Sequence, residues 1–131
     1  MVKEPIIIVG GEPNSIFLEI FFKSIKKNTY KCPLIIIVSK KLLVQQMKKL
    51  GFTFKINDVD KKLKDFSKLD NNKINLINVN YDFKKCFEKI TPKSNKYINQ
   101  TFEIALSIMK KNNLSKFING PISKKSFLKG K

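Results

Sequence analysis

The chain has 131 residues, 42% of them hydrophobic, a size and composition that predict one globular domain with a sizeable core. It carries a net charge of +17, and no apolar run reaches the roughly 18 residues that a membrane-spanning helix needs. The first residues lead directly into a short strand and lack the apolar stretch of a signal peptide. We therefore expect a cytoplasmic protein with no membrane partner.

All 27 basic residues are lysines, and this decides how the charge is interpreted. Arginine, which reads guanine edges and stacks on bases, is absent, and the lysines are spread over the whole chain. Asparagine, isoleucine and phenylalanine are also frequent, as in proteins from A/T-rich genomes. We expect a solvated lysine surface and no nucleic-acid partner, and keep a lysine-rich α/β nucleic-acid-binding module as the alternative.

The first half of the chain alternates strand and helix patterns. In chain order these are a strand at 6–9, a helix at 16–25, a strand at 34–38, a helix at 40–50 and a strand at 52–56. The first two strands are apolar at successive positions, which is typical of strands covered on both faces. Asn14 or Ser15 is expected to cap the first helix, whereas Ser39 and Gly51 bound the second.

The second half begins with a polar, lysine-rich excursion at 57–72, for which one helical turn is expected. Three elements follow, a strand at 74–79, a helix at 94–112 and a short strand at 116–119. The strand at 74–79 alternates apolar and polar residues, which predicts a place nearer an edge of the sheet. The stretch 81–92 is expected to be a loop, and a helix is expected to begin at Ser123 or Lys124.

The order of these elements predicts an α/β fold. Because the connections are long enough for right-handed crossovers, we expect a mostly parallel sheet with helices on both faces. Cys32 and Cys86 lack the paired spacing of a zinc or redox motif, so two buried free thiols are expected. The sequence contains no histidine, and the chain therefore offers no ordinary zinc site of its own.

Two strand ends carry similar turn sequences. Residues 10–15 place two glycines, a proline and two capping residues between a strand and a helix, and residues 119–124 place glycine, proline, serine and lysine after the last strand. In a parallel sheet both turns lie at the carboxyl edge, where open α/β folds bind ligands. Lys124 would suit a phosphate or carboxylate. As alternatives, the first turn is only a tight connection without a ligand, and Lys124 is only one more surface lysine.

These turns resemble the signature loops of the 4-hydroxythreonine-4-phosphate dehydrogenase family. That family opens with a strand and a Gly-Asp-Pro-Ala-Gly-Ile-Gly-Pro-Glu type loop. Four positions match, with Glu12 in place of the aspartate: Gly11, Pro13, Ile16 and Glu19. Four positions depart from the family loop, and at two of them a family glycine is replaced: Asn14, Ser15, Phe17 and Leu18. The family's later Thr-Gly-Pro-(Ile/Val)-x-Lys motif resembles residues 119–124, where asparagine replaces the threonine.

The resemblance implies a fold like that of the isocitrate and isopropylmalate dehydrogenases. It implies an enzyme that oxidises 4-phosphooxy-L-threonine with NAD or NADP and decarboxylates the product to 3-amino-2-oxopropyl phosphate. It covers the whole chain but only about the first two-fifths of a family member. Residues 1–131 are thus expected to be the N-terminal part of a dehydrogenase α/β domain, truncated at its C-terminal end and inactive alone. A homodimer is implied for the full-length protein.

The resemblance also implies which residues border the ligands. The cofactor would lie beside a set of loop residues, Gly11, Glu12, Pro13, Asn14 and Ser15. The phosphorylated substrate would approach a second set, Gly120, Pro121, Ser123 and Lys124. No catalytic residue is expected in this chain, and a divalent metal (Zn, Mg or Co) would be bound by residues outside it. Because Asn14 and Ser15 alter the first loop, a divergent dehydrogenase for another anionic metabolite is the remaining alternative.

Overall fold

The structure, a computed structural model, describes residues 4–13, 15–81 and 92–122. The strands within these ranges are β1 (Ile6–Val9), β2 (Leu34–Val38), β3 (Ile56–Asp58), β4 (Ile74–Asn78) and β5 (Phe117–Asn119). The α-helices are α1 (Phe17–Lys27), α2 (Lys40–Leu50) and α3 (Pro92–Lys111). A single 3-10 turn, Phe66–Lys68, lies between β3 and β4, which confirms the helical turn expected in the polar excursion.

The five strands form one sheet in the order β3-β4-β2-β1-β5, and every neighbouring pair is parallel. The helices α1 and α2 connect strands in one direction across the sheet, whereas α3 connects β4 to β5 in the opposite direction. Right-handed crossovers therefore place α1 and α2 on one face and α3 on the other. The predicted α/β class, with a parallel sheet and helices on both faces, is confirmed.

Side chains of β5 show the two faces directly. The ring of Phe117 lies 5.9 Å from that of Phe102 on α3. The next residue, Ile118, points to the other face and lines an apolar groove with Ile8 of β1 and Ile20 of α1. The uninterrupted apolar runs of the central strands are buried on both faces, as the sequence predicts: Ile7, Ile8, Val9, Ile35, Ile36, Ile37 and Val38.

The helix α2 and the strand before it have the bounds that the sequence predicts. The hydroxyl of Ser39 accepts a hydrogen bond from the amide of Leu42 at 3.2 Å, the geometry of an N-cap. Gly51 ends the helix in the left-handed region, with φ of 79°. The signals for these elements are local, which is why sequence patterns locate them.

The expected cap of α1 is wrong in its detail. Ile16 occupies the N-cap position and makes no side-chain cap hydrogen bond. Ser15 instead folds back on its own turn, because its hydroxyl donates to the carbonyl of Glu12 at 2.9 Å and accepts from the amide of Phe17 at 3.3 Å. Asn14 lies outside the described residues. The turn before α1 is thus held by Ser15 without a standard cap.

The strand predicted at 52–56 is wrong except at its last residue, because β3 begins at Ile56. The alternating phenylalanines instead pack with their rings against one another. Phe52 and Phe54 stack on each other with ring centroids 5.8 Å apart, and both pack against Phe22 of α1. The alternation of apolar residues at 52–56 therefore reflects an aromatic cluster that packs against α1, not a hydrogen-bonded strand.

The fourth strand lies nearer an edge of the sheet than β2, as predicted, because β4 is between β2 and the edge strand β3. Its polar residue Asn75 is only 2% exposed. The Asn75 side chain donates to the carbonyl of Leu34 at 2.8 Å and accepts from Asn57 and from the amide of Asp70 at 2.8 and 2.9 Å. A buried asparagine with its hydrogen bonds satisfied is compatible with an interior strand.

Three further expectations have different outcomes. Cys32 is a free thiol but only half-buried, with the ammonium group of Lys116 at 3.6 Å from its sulfur, so the expectation of a buried thiol is wrong there. Cys86, most of the loop at 81–92 and the helix start at Ser123 or Lys124 lie outside the described residues. Among the residues that are described, no helix has the length and apolar character needed to cross a membrane.

Candidate functional site

The two turns singled out in the sequence lie side by side. Strands β1 and β5 are parallel neighbours, with Val9 opposite Asn119, so the residues that follow them meet at the carboxyl edge of the sheet. The amide of Gly120 donates to the carbonyl of Val9 at 2.7 Å, and the amide of Glu12 donates to the carbonyl of Pro121 at 2.8 Å. We call residues 10–13 and 15, together with 120–122, the paired turns.

The glycines of the paired turns are required by the contact between them. Gly11 has φ of +71°, and a Cβ atom there would lie 2.5 Å from the carbonyl carbon of Gly120. A Cβ atom on Gly120 would overlap the carbonyl oxygen of Gly10 and lie 2.6 Å from its carbon. Real Cβ atoms do not approach backbone this closely, so only glycine allows the two turns to touch.

A buried carboxylate lies in the first turn. Glu12 is 6% exposed, although it directly follows two glycines at a strand end. Its backbone is part of the contact already described, and its carbonyl accepts from the amide of Ser15 at 3.2 Å. Burial of a carboxylate is costly unless the surroundings compensate.

One residue that supports the first turn was not found from the sequence. Gln46 of α2 is fully buried, and its side-chain amide donates to the carbonyl of Pro13 at 3.2 Å. It lies on the same helical face as the buried residues Leu42 and Leu43. The sequence did contain a signal for this role, because Gln46 is a polar residue on an apolar helical face and such a side chain needs a hydrogen-bond partner in the interior.

The structure locates part of each predicted ligand set. Gly11, Glu12, Pro13 and Ser15 of the cofactor set lie together, and Gly120 and Pro121 of the substrate set lie against them. The remaining members lie outside the described residues: Asn14, Ser123 and Lys124. The described members share one edge of the sheet and touch one another, whereas their contact with a cofactor or substrate stays a prediction.

A second polar region lies at the carboxyl ends of β2 and β4. The amide of Ser39 donates to the hydroxyl of Tyr97 at 2.7 Å, and the amide of Lys40 donates to the side chain of Asn78 at 2.8 Å. Asn78 in turn donates to Asn80 at 3.1 Å. Burial raises the pKa of Tyr97 well above its usual range, so the phenol stays protonated.

Between these strand ends is a cavity of about 690 Å³, which we call the β2/β4 crevice. Its lining combines lysines of α2 with groups at the end of β4: Lys40, Lys41, Val44, Lys48, Asn80 and Tyr81. The Lys40 ammonium group pairs with Asp58 at 2.8 Å. The crevice is therefore cationic, with an apolar part at Val44 and Tyr81.

The described residues do not fit a metal site. They contain no group of three or more histidine, cysteine, aspartate or glutamate side chains that could hold an ion, and the whole sequence has no histidine. The expectation that the metal is bound by residues outside this chain stays a prediction. No chemical step through a metal can be assigned to the described residues.

The fold places the chain among α/β proteins with the architecture of known dehydrogenases. It superposes on 4-hydroxythreonine-4-phosphate dehydrogenase from Burkholderia phymatum with a TM-score of 0.78 at 16% identity, over 99% of this chain and 40% of that one. The enzyme of the same name from Klebsiella pneumoniae gives 0.79 at 13% identity, over 98% and 40%. The chain thus spans about 40% of the length of these solved structures.

The sequence itself matches the family "Pyridoxal phosphate biosynthetic protein PdxA" over residues 30–131. The chain belongs to that family, as its two turns led us to expect. No functionally curated protein matches the sequence. The family match includes the second of the paired turns and begins after the first. The first turn is where the sequence departs from the family loop at Asn14 and Ser15, yet the superposed structures include it.

Proposed function

We propose that this chain is part of an NAD- or NADP-dependent 4-hydroxythreonine-4-phosphate dehydrogenase. The reaction is oxidation of 4-phosphooxy-L-threonine, followed by decarboxylation to 3-amino-2-oxopropyl phosphate. The observation that supports this most is the backbone contact between Glu12 and Pro121, at 2.8 Å. It joins the two family loops at one sheet edge, in a chain that belongs to the PdxA family.

In this proposal the paired turns form one border of the ligand site. The nicotinamide cofactor, which accepts the hydride, lies beside the first turn, and the substrate phosphate approaches the second turn and Lys124. Two hydrogen bonds hold described residues of the first turn, because the side chain of Gln46 donates to the carbonyl of Pro13 and the hydroxyl of Ser15 donates to the carbonyl of Glu12. Such fixed backbone orients ligands without reorganisation during the reaction.

Other parts of the protein must complete the site. In the proposal, as the resemblance to the family implies, the divalent metal, Zn, Mg or Co, is bound by residues outside this chain. By resemblance to the family, we also propose that the complete protein is a cytoplasmic homodimer. The chain described here supplies framework and site border, and we expect no activity from it alone.

The test is an assay of the polypeptide encoded by the complete reading frame. Purified protein is mixed with 4-phosphooxy-L-threonine, with NAD or NADP, and with each metal in turn. We expect formation of reduced cofactor that depends on the substrate and stops when a chelator is added. A folded protein that reduces neither cofactor with any of the metals would overturn the proposal.

Substitution of Glu12 by glutamine tests the border role in the same assay. A neutral side chain of similar shape keeps the packing and removes the charge next to the ligands. We expect kcat/KM to fall about tenfold, equivalent to about 1.4 kcal/mol of transition-state stabilisation. Glu103→Gln is the matched control, because Glu103 is exposed on α3. If the two variants have the same kcat/KM, Glu12 acts only within its own turn.

A second candidate is a dehydrogenase for another anionic metabolite. The observation that favours it is the start of the family match at residue 30, which leaves the altered first turn outside the matched part. The assay decides between the two when other phosphorylated or carboxylated hydroxy acids replace 4-phosphooxy-L-threonine. A higher kcat/KM for one of them would select this second candidate.

A further inference from the structure

The direction of the chain at the strand ends identifies a place for a ligand. After β2 the chain enters α2 on one face of the sheet, whereas the helix that follows β4 is α3, on the opposite face. Adjacent parallel strands whose connections go to opposite faces leave a crevice between their carboxyl ends. In open α/β sheets, ligands bind in that crevice. Among the described strands, β2 and β4 are neighbours whose following helices lie on opposite faces of the sheet.

The β2/β4 crevice has the size and lining of a small-molecule site. Its volume of about 690 Å³ falls within the roughly 300–1,000 Å³ of typical ligand pockets. One wall carries Lys41 and Lys48, and an apolar surface is offered by Val44 and Tyr81. A ligand that matches this lining combines an anionic group with a flat or apolar part.

The positive charge comes from side chains and not from the first amides of α2. Those of Lys40 and Leu42 are already bonded to Asn78 and to the Ser39 hydroxyl. The carboxylate of Asp58 pairs with Lys40 and is 62% exposed. Lys41 and Lys48 also line the crevice, so its described lining carries more cations than anions and favours anionic groups.

Two buried tyrosines pack against each other behind the crevice. Tyr97 is 2% exposed and fixes the end of β2, because its hydroxyl accepts from the amide of Ser39 at 2.7 Å. The Tyr97 ring lies 4.8 Å from that of Tyr81, which is itself buried. A preformed wall of this kind lowers the cost of ordering the site when a ligand binds.

We propose that the β2/β4 crevice binds a phosphorylated ligand of mononucleotide size. Lys41 and Lys48 bind the phosphates, and the ring of the ligand lies on Val44 and Tyr81. This site is separate from the paired turns, where the proposed dehydrogenase binds its cofactor and substrate, and it goes beyond that function. Its test needs neither substrate nor metal, and so the two proposals can fail independently.

Calorimetric titration of the full 131-residue chain tests the site with three probes: ADP, inorganic pyrophosphate and adenosine. We expect ADP to bind more tightly than pyrophosphate, because only ADP fills the apolar part, and adenosine not to bind. Tighter binding of pyrophosphate than of ADP would assign the crevice to a free phosphate group and would overturn the mononucleotide proposal. Absence of binding by both phosphates would overturn the site itself.

Paired lysine variants separate this site from general attraction to a chain of net charge +17. The double variant K41Q/K48Q is expected to weaken ADP binding about tenfold, as for loss of charge-assisted contacts. The control K110Q/K111Q removes the same charge from the last turn of α3, which leads into the amino end of β5. This variant is expected to leave ADP binding unchanged. Equal weakening in both variants would show non-specific attraction and overturn the proposal.

A second measurement gives the position of the ligand even if a variant is unstable. In the unmodified chain, ADP is expected to shift the amide NMR signals of Ser39, Lys41 and Asn80. The signals of Gly11 and Gly120 in the paired turns are expected to stay in place. Shifts confined to the paired turns would place the nucleotide there and would overturn the assignment to the crevice.

Discussion

The paired turns and the β2/β4 crevice lie at the same edge of one sheet but are built in opposite ways. At the paired turns, backbone touches backbone, because Gly11 and Gly120 have no Cβ that would lie between the two turns. At the crevice, α2 and α3 leave on opposite faces, and side chains bridge the strand ends. The first arrangement fixes the position of two loops, whereas the second leaves room for a ligand. A glycine- and proline-rich turn sequence therefore does not by itself show which strand ends leave room for a ligand.

The difference predicts where the fold is most sensitive. A contact made by backbone cannot relax around an added atom, because the chain itself would have to move. A contact made by side chains loses only the bonds of the changed residue. The following substitutions test this contrast, in decreasing order of expected effect.

Gly120→Ala is expected to have the largest effect. The added Cβ would overlap the backbone of Gly10, and we expect the free energy of unfolding to fall by about 3 kcal/mol, the upper end of overpacking effects. Urea unfolding measures it. Gly51→Ala is the control, since φ is +79° there but no atom lies within 4 Å of its Cβ, and about 1 kcal/mol is expected. Equal losses would mean that the paired turns separate easily.

Asn75→Ala tests a side-chain bridge between β2 and β4 near their amino ends, at the opposite edge of the sheet from the crevice. Removal of the amide leaves the carbonyl of Leu34 and the amide of Asp70 without this partner in a buried position. We expect a loss of about 2 kcal/mol in the free energy of unfolding, the cost of unsatisfied buried groups. The exposed Asn72 in the preceding turn provides the control Asn72→Ala, for which little change is expected. A loss as large as that of Gly120→Ala would remove the contrast.

Tyr97→Phe removes one hydrogen bond at the back of the crevice, and about 1 kcal/mol of stability is expected to be lost near neutral pH. Burial raises the pKa of Tyr97 from its ordinary value of 10.0, so the unfolded chain loses this proton first as pH rises. The stability that the phenol contributes is therefore present below about pH 10 and is lost above it.

The difference in unfolding free energy between wild type and Tyr97→Phe should accordingly shrink at alkaline pH. Comparison of the two proteins removes the effect of the lysines, which titrate alike in both. Tyr30→Phe serves as the control, because Tyr30 is 37% exposed. A difference that stays constant up to high pH would contradict the role of the buried phenol.

Glu4→Gln is expected to have the smallest effect. Glu4 accepts hydrogen bonds from the amide and the hydroxyl of Ser115, which join the amino ends of β1 and β5. These bonds lower the pKa of the Glu4 carboxyl. The stabilisation is present above the ordinary pKa of glutamate and is lost as pH falls through the lowered value.

The measurement for Glu4 is the acid limb of the stability profile. Wild type is expected to lose stability at low pH by slightly more than Glu4→Gln, because the variant lacks the titrating group. Glu103→Gln, exposed on α3, should follow wild type. Identical acid limbs for all three proteins would show that the bond to Ser115 adds nothing in solution.

Sequence patterns located the elements whose signals are local. Ser39 and Gly51 bound α2 by chemistry within one turn of each residue, and the apolar run of β2 needs no distant partner to be recognised. The paired turns were recognisable as two similar strand-end turns for the same reason. Their common edge followed from the parallel sheet, which the alternation of strands and helices predicts.

Features that depend on distant partners were not predictable. The burial of Asn75 was not foreseen, because its bond to Leu34 joins residues that are far apart in sequence. Phe52 and Phe54 followed a strand pattern until Phe22 provided their actual partner. The role of Gln46 and the overlap at Gly120 likewise exist only after the chain has folded. Propensity and period do not contain this information.

The strand order also has a consequence for the time course of folding. The first strand that a ribosome releases, β1, pairs on one side with β2, but its other partner, β5, is made after nearly all of the described chain. Until then one edge of β1 carries unpaired backbone groups, which other chains can bind. Among the described strands, β5 and the paired turns are therefore the last to be assembled. Slow synthesis or slow release late in translation would lengthen this exposure and favour aggregation.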